Sequence, residues 1–232
     1  MRNWKRGEGE NDLISGINSS IFNLTMLRKI LVSSAVFLFA LAILFISVLR
    51  TAAVRYETNG VKSERVLSDS VSIDYNLAYP GKILPDSFLW PLKAVRDKIW
   101  LLTTTDKLKK NEIEILFADK RLGGAVTLFE NGKNEIAIST LTKAEKYLEE
   151  ASLTEERLRL SGVAQSDEVC LRLANASLKH YEVLKRLEDK VPDDVRPIII
   201  SSEQIPIKAY ERARNALLSK GITPPNNPFK WD

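Results

Sequence analysis

The stretch "ILPDSFLWPLKAVRDKIWLL" (residues 83–102) decides how the body of this chain folds: it sets two prolines, two tryptophans and a cluster of large aliphatics in twenty positions. Deep in a helix a proline clashes with the carbonyl four residues earlier, but at the first helical position its missing N–H costs nothing. Pro91 therefore marks a helix start, and Pro85, Asp86 and Ser87 form a separate turn ahead of it. Phe88, Leu92, Val95, Ile99 and Leu102 recur at heptad spacing, which predicts a helix over about 91–103 with its apolar stripe on a core. Phe88, Leu89 and Trp90 are expected to fold back as a hydrophobic plug. Phe88, Trp90 and Trp100 are thus read as packing or interaction residues rather than as an aromatic cage.

Downstream the helical pattern continues. "TTTD" at 103–106 supplies capping residues for a second helix over about 106–131, with Leu108, Ile115, Leu122, Val126 and Phe129 inward and Asn131-Gly132 as its stop. Gly123 and Gly124 in its interior each cost about 1 kcal/mol relative to alanine. A close helix crossing is the expected reason, with a ligand passing over the backbone as the alternative. A third helix, about 134–152 and extendable to Leu160, sets Ala137, Leu141, Ala144, Leu148 and Ala151 on one stripe. Ser166 caps a fourth over about 167–191, with Val169, Leu173, Ala176, His180, Val183 and Leu187 in line. Pro192, Pro197 and Pro206 then predict a kinked fifth element over about 193–219, with Tyr210, Ala213 and Leu217 inward and Gly221 as its end. The proline-rich residues 222–232 are expected to be a flexible tail.

Upstream, "ILVSSAVFLFALAILFISVL" (residues 30–49) is uncharged and mostly apolar, and Arg28, Lys29 and Arg50 bracket it. About twenty residues at about 1.5 Å rise match a hydrocarbon core of about 30 Å, so the stretch reads as a transmembrane helix. A cleaved signal peptide has a shorter apolar region behind a shorter basic start. Lys and Arg are nearly balanced on the two sides, and the short leader 1–29 favours an N-inside anchor that carries the rest outside the cytoplasm. Residues 50–82 read as a stalk, with "YPGK" at 79–82 marking where the helical body, 83–221, begins. The fold class is therefore all-α: one N-terminal transmembrane helix plus an antiparallel bundle of about five helices.

Charge narrows the partners. The formal net charge is +4, but the first fifty residues carry six Lys/Arg against three Asp/Glu, which leaves 28 against 27 beyond them. A near-neutral body argues against a nucleic-acid surface. Cys170 stands alone, so no intramolecular disulfide forms, and His180 is the only histidine, so no His-based metal site of two or more ligands can be built within one chain. Phosphate-binding glycine loops, HExxH, CxxC and G-x-S-x-G are all missing. His180 lies on an apolar stripe and reads as a satisfied core or boundary histidine. Cys170 near the same helix's start is weak as a nucleophile. Acidic pairs such as Glu149/Glu150 and Glu155/Glu156 lie among lysines and arginines and read as solvated faces. No catalytic, cofactor or metal residues emerge, and no small-molecule substrate.

The segments Leu84-Pro85-Asp86-Ser87, Leu89-Trp90-Pro91-Leu92-Lys93 and Ala118-Asp119-Lys120-Arg121-Leu122 carry a resemblance. Together they resemble an uncharacterised prokaryotic, membrane-anchored helical domain of unknown function, family 5667, whose members show an "LPDS-x-LYPLK" turn and helix followed by an acidic-basic helix. Trp90 stands where tyrosine is usual, and Gly123-Gly124 where alanine or charged residues are. The resemblance covers about residues 83–152 and implies a secreted or anchored helical domain. It brings no catalytic residues. Some relatives resemble membrane-bound regulators with a cytoplasmic output domain, for which the 29-residue leader is short. The expectation is a single-pass, extracytoplasmic, non-catalytic interaction or sensing module. It would touch the bilayer through residues 30–49 and a protein partner through its body. The alternatives are a tethered scaffold, or the sensory half of a transmembrane regulator without its output domain.

Overall fold

A computed structural model describes residues 26, 28–39, 72–229 and 231. The chain divides into two units, Met1–Asn59 and Gly60–Asp232. In the first, residues 28–39 are helical and exposed. The rest of the expected transmembrane helix, 40–49, lies outside the described residues, as do most of the leader and the stalk to residue 71. Among the described residues no helix is long and apolar enough to cross a membrane.

The second unit is all-α, with no strand among the described residues. Six helices follow in order: α1 (Trp90–Thr103), α2 (Lys107–Glu130), α3 (Asn134–Leu160), α4 (Asp167–Glu188), α5 (Arg196–Ser202) and α6 (Gln204–Ser219). Local chemistry sets their ends. Pro91 sits at the start of α1 as its fixed φ requires. The Asp106 carboxylate accepts the Leu108 N–H at 2.9 Å to open α2, and the Ser166 hydroxyl accepts the Val169 N–H at 3.3 Å to open α4. Gly132, at φ +72°, lets the chain reverse within three residues between α2 and α3. The expected fifth element is two helices meeting at Glu203. Pro206 has no N–H to offer the Ser202 carbonyl, so the helix breaks there.

Helices α2 and α3 form the most extensive pair, and α6 packs on both α3 and α4. One apolar cluster joins Ile115, Leu148, Leu173, Ala213 and Leu217 across these four, and a second joins Leu122, Leu141, Leu184 and Ile199. The stripes expected for α3 and α4 are buried throughout.

Three expectations are corrected. First, the body begins before residue 83: Ile73, Tyr75, Leu77 and Ala78 already pack on the bundle's apolar clusters. Second, the plug does not form. Phe88 is 95% exposed, Leu92 72%, Val95 55% and Leu102 72%, so the apolar stripe of α1 faces solvent. The opposite face of α1, with Trp90, Lys93, Asp97, Trp100 and Leu101, is the one turned inward. Third, residues 222–229 and 231 have no regular structure, yet they are packed rather than free. Tyr181 meets Trp231 at a centroid distance of 4.1 Å and Phe229 at 4.9 Å, Phe229 stacks on Trp231 at 5.2 Å, and the Tyr210 hydroxyl donates to the Pro225 carbonyl at 2.5 Å. Proline removes backbone donors but not ring area, so this tail docks through side chains. Trp231→Ala is expected to lower the unfolding free energy by about 1–3 kcal/mol in a urea melt, where a free tail would give no change.

Candidate functional site

Residues 72–84 form a largely extended strap that crosses α4 and α2, and a turn over 85–89 then leads the chain into α1. Its backbone is pinned at both ends. The Ile73 N–H donates to Glu182 Oε2 at 2.8 Å, and Lys179 Nζ donates to the Ile73 carbonyl at 3.2 Å. At the far end Lys93 Nζ donates to the carbonyls of Pro80 at 2.6 Å and Ile83 at 2.9 Å. An extended segment has no partner strand here, so its carbonyls need side-chain donors, and Lys93 supplies two bonds. Burial pushes the Lys93 ammonium below its ordinary range, and the Asp97 charge acts against that.

Gly123 and Gly124 explain where the strap lies. A Cβ on Gly123 would meet Pro80 Cδ at 3.4 Å, and one on Gly124 would meet Leu84 Cδ2 at 3.5 Å. The glycines therefore make room for the strap, and neither the expected helix crossing nor a ligand is what passes over them. Trp90 closes this end: Lys93 Nζ lies 5.2 Å and Arg121 Cζ 5.5 Å from its ring centroid, and Arg121 also lies 5.1 Å from that of Tyr147. Beside it an open cleft of about 380 Å³ is lined by Trp90, Arg121, Glu135, Ser139, Thr140 and Lys143. Trp100 packs edge-on against Phe117 at 5.7 Å and holds the middle of α1.

Beneath the strap lies a buried charge network. His180 of α4 is fully buried; its Nδ1 donates to Glu145 Oε1 of α3 at 2.9 Å, and its Nε2 makes a 3.4 Å ion-pair contact with Asp119 Oδ1 of α2. The Tyr75 hydroxyl of the strap donates to Asp119 Oδ2 at 2.6 Å, and Arg172 also faces that phenol. Burial alone lowers the imidazole pKa, but the Glu145 charge together with Asp119 more than offsets it, so His180 is pushed up to about 9 and is a cation at neutral pH. Burial and then the Asp119 charge hold the Tyr75 phenol far above its ordinary range, so it stays a neutral donor.

Cys170 and His180 do not converge. They are ten residues apart on one helix, about 15 Å along its axis. Cys170 is buried in the first apolar cluster, and burial pushes its thiol up. Among the described residues no three His, Cys, Asp or Glu are arranged to hold a metal ion. The sequence reading singled out His180 but not its partners. Asp119 and Glu145 fall on their helices' inner faces, and acidic residues at inner positions opposite a lone inner histidine are a signal that periodicity alone can carry.

His180→Ala leaves two buried carboxylates without their cation, and is expected to cost about 3–5 kcal/mol. In the wild type the His180 contribution is full below about 6.5, the ordinary value, and is lost as pH rises through about 9. Glu114, which burial raises to about 7 from 4.5, acts in the same direction at lower pH. Melting temperature is therefore expected to fall between pH 6.5 and 9, and the part of that slope above pH 7 to shrink in His180→Gln. At the glycines, Gly124→Ala fits in ordinary contact and is expected to be neutral or stabilising by up to about 1 kcal/mol. Gly124→Leu lifts the strap and costs about 1–3 kcal/mol by the same melt.

The comparisons agree with the motif reading. Residues 82–194 match a family model described as "Domain of unknown function (DUF5667)", which takes in the motif stretch 83–152 and part of the remaining body. No curated protein and no solved structure matches the chain. Residues 82–194, from the last residues of the strap to the turn before α5, carry the resemblance to that domain of unknown function.

Proposed function

We propose that this protein is a single-pass, membrane-tethered helical module that stands outside the cytoplasm and works by contact rather than by chemistry. The observation that carries this reading is the solvent-facing apolar stripe that runs from Phe88, just ahead of α1, through Leu92, Val95 and Leu102. Large apolar rows that stay out of a core mark interaction surfaces. Two further features support it. The apolar residues 30–49 have the length and flanking charges of an anchor. Several of the buried polar groups have structural partners: Lys93 and Tyr75 hold the strap, and Asp119 and Glu145 hold His180.

Topology is tested with one new thiol. Asn226→Cys on a Cys170→Ser background is expected to react with a membrane-impermeant reagent in intact cells, and the chain to resist alkaline carbonate extraction. Reaction only after lysis puts the bundle in the cytoplasm and overturns the extracytoplasmic reading. Release by carbonate overturns the anchor.

A further inference from the structure

The charge around the α1 stripe is one-sided. Residues 82–110 hold seven Lys/Arg against three Asp/Glu. All three acids are engaged internally: Asp86 pairs with Lys133 at 2.6 Å, Asp97 pairs with Arg96 at 2.6 Å, and Asp106 caps α2. Lys82, Lys98, Lys107 and Lys109 are exposed and have no ion pair among the described residues. On α1, the unpaired Lys98 lies one turn from Val95 and Leu102 on one rim of the stripe, and Arg96, its guanidinium bonded to Asp97, one turn from Leu92 and Ile99 on the other. An apolar row between basic rims, with an aromatic ring at its start, is the pattern of a helix that lies in the plane of a lipid interface.

We propose that this face of α1 docks flat on an anionic lipid bilayer, with Phe88, Leu92, Val95 and Leu102 entering the headgroup boundary and the unpaired Lys98 against lipid phosphates. The docking rests on the anchor reading in one respect, that residues 30–49 keep a bilayer within reach. The intervening residues 50–71 span at most about 3.3–3.6 Å each, enough slack for α1 to meet the surface. A single short helix face binds lipid weakly by itself, and tethering raises its effective concentration so that weak binding suffices. A second copy of the chain fits the face less well, because it would bring the unpaired lysines of this segment, Lys98 among them, against the same surplus of positive charge on the copy.

The test uses the full chain carrying Val95→Cys on a Cys170→Ser background, labelled with an environment-sensitive dye and reconstituted into vesicles with brominated acyl chains. With phosphatidylglycerol present the dye is expected to shift blue and be quenched several-fold more than in phosphatidylcholine alone, and high salt to reverse this. Leu92→Ser and Lys98→Glu alter exposed positions; each is expected to reduce the docked fraction by roughly tenfold with unchanged melting temperature. Equal quenching in both lipids, or a dye that stays in water in both, overturns the proposal. A dye already in an apolar setting before lipid is added also overturns it, in favour of a second copy or a segment of the chain itself. A dye that moves only when membrane proteins are added overturns it in favour of a protein partner. Co-flotation with phosphatidylcholine vesicles reads the anchor separately: a chain that fails to float there yet is quenched when added to preformed anionic vesicles sustains the docking and loses the tether.

Discussion

A protonated imidazole between two carboxylates, His180 with Glu145 and Asp119, ties α4 to α3 and α2 in the interior of the bundle. Taking three charges out of water is costly, and the ions repay that cost only when their geometry is met. The network therefore acts less as a source of strength than as a constraint on register. Sliding α2, α3 or α4 by one turn would strand a buried charge, which no apolar contact could replace. Because Asp119 also accepts the Tyr75 hydroxyl, the same constraint decides where the strap crosses the bundle. The position of α1 follows from that of the strap.

The clasp at the far end of the strap has a consequence for the surface. Lys93 and Asp97 occupy the inner face of α1, where Lys93 bonds two strap carbonyls and Asp97 neutralises the cations around it. With this face of α1 turned to the bundle, no described element covers the opposite one. The heptad row from Phe88 to Leu102 is thereby turned outward. The feature that makes the domain an interaction module in our reading thus arises from the backbone needs of an unpaired extended segment. The two tryptophans share this division, since Trp90 serves the clasp through Arg121, and Trp100 serves the packing through Phe117.

Much of the architecture was legible in residue order alone. Helix boundaries followed from Pro91, Asp106, Gly132, Ser166 and Gly221, because capping and turn chemistry are local and act within a few residues. The inward stripes of α3 and α4 followed from periodicity, because each of those helices has a single apolar face and no competing one. Gly123 and Gly124 announced that something approaches α2 closely, though not that it is the chain's own strap rather than a helix. The docked tail was missed because its contacts are ring to ring across long sequence separation, and proline content speaks only of the backbone.

By itself, then, the sequence determined an all-α body, the ends of its helices, an apolar segment of membrane length, and the motif positions that carry the resemblance to a domain of unknown function. Tertiary structure alone decided which face of α1 is covered, which carboxylates meet His180, and what lies on the paired glycines. The physical reason is that periodicity identifies an apolar face but not its partner. The partner is chosen by long-range competition between burying that face and satisfying buried charges and carbonyls. In α1 the polar groups won that competition, and the apolar row was left to the solvent.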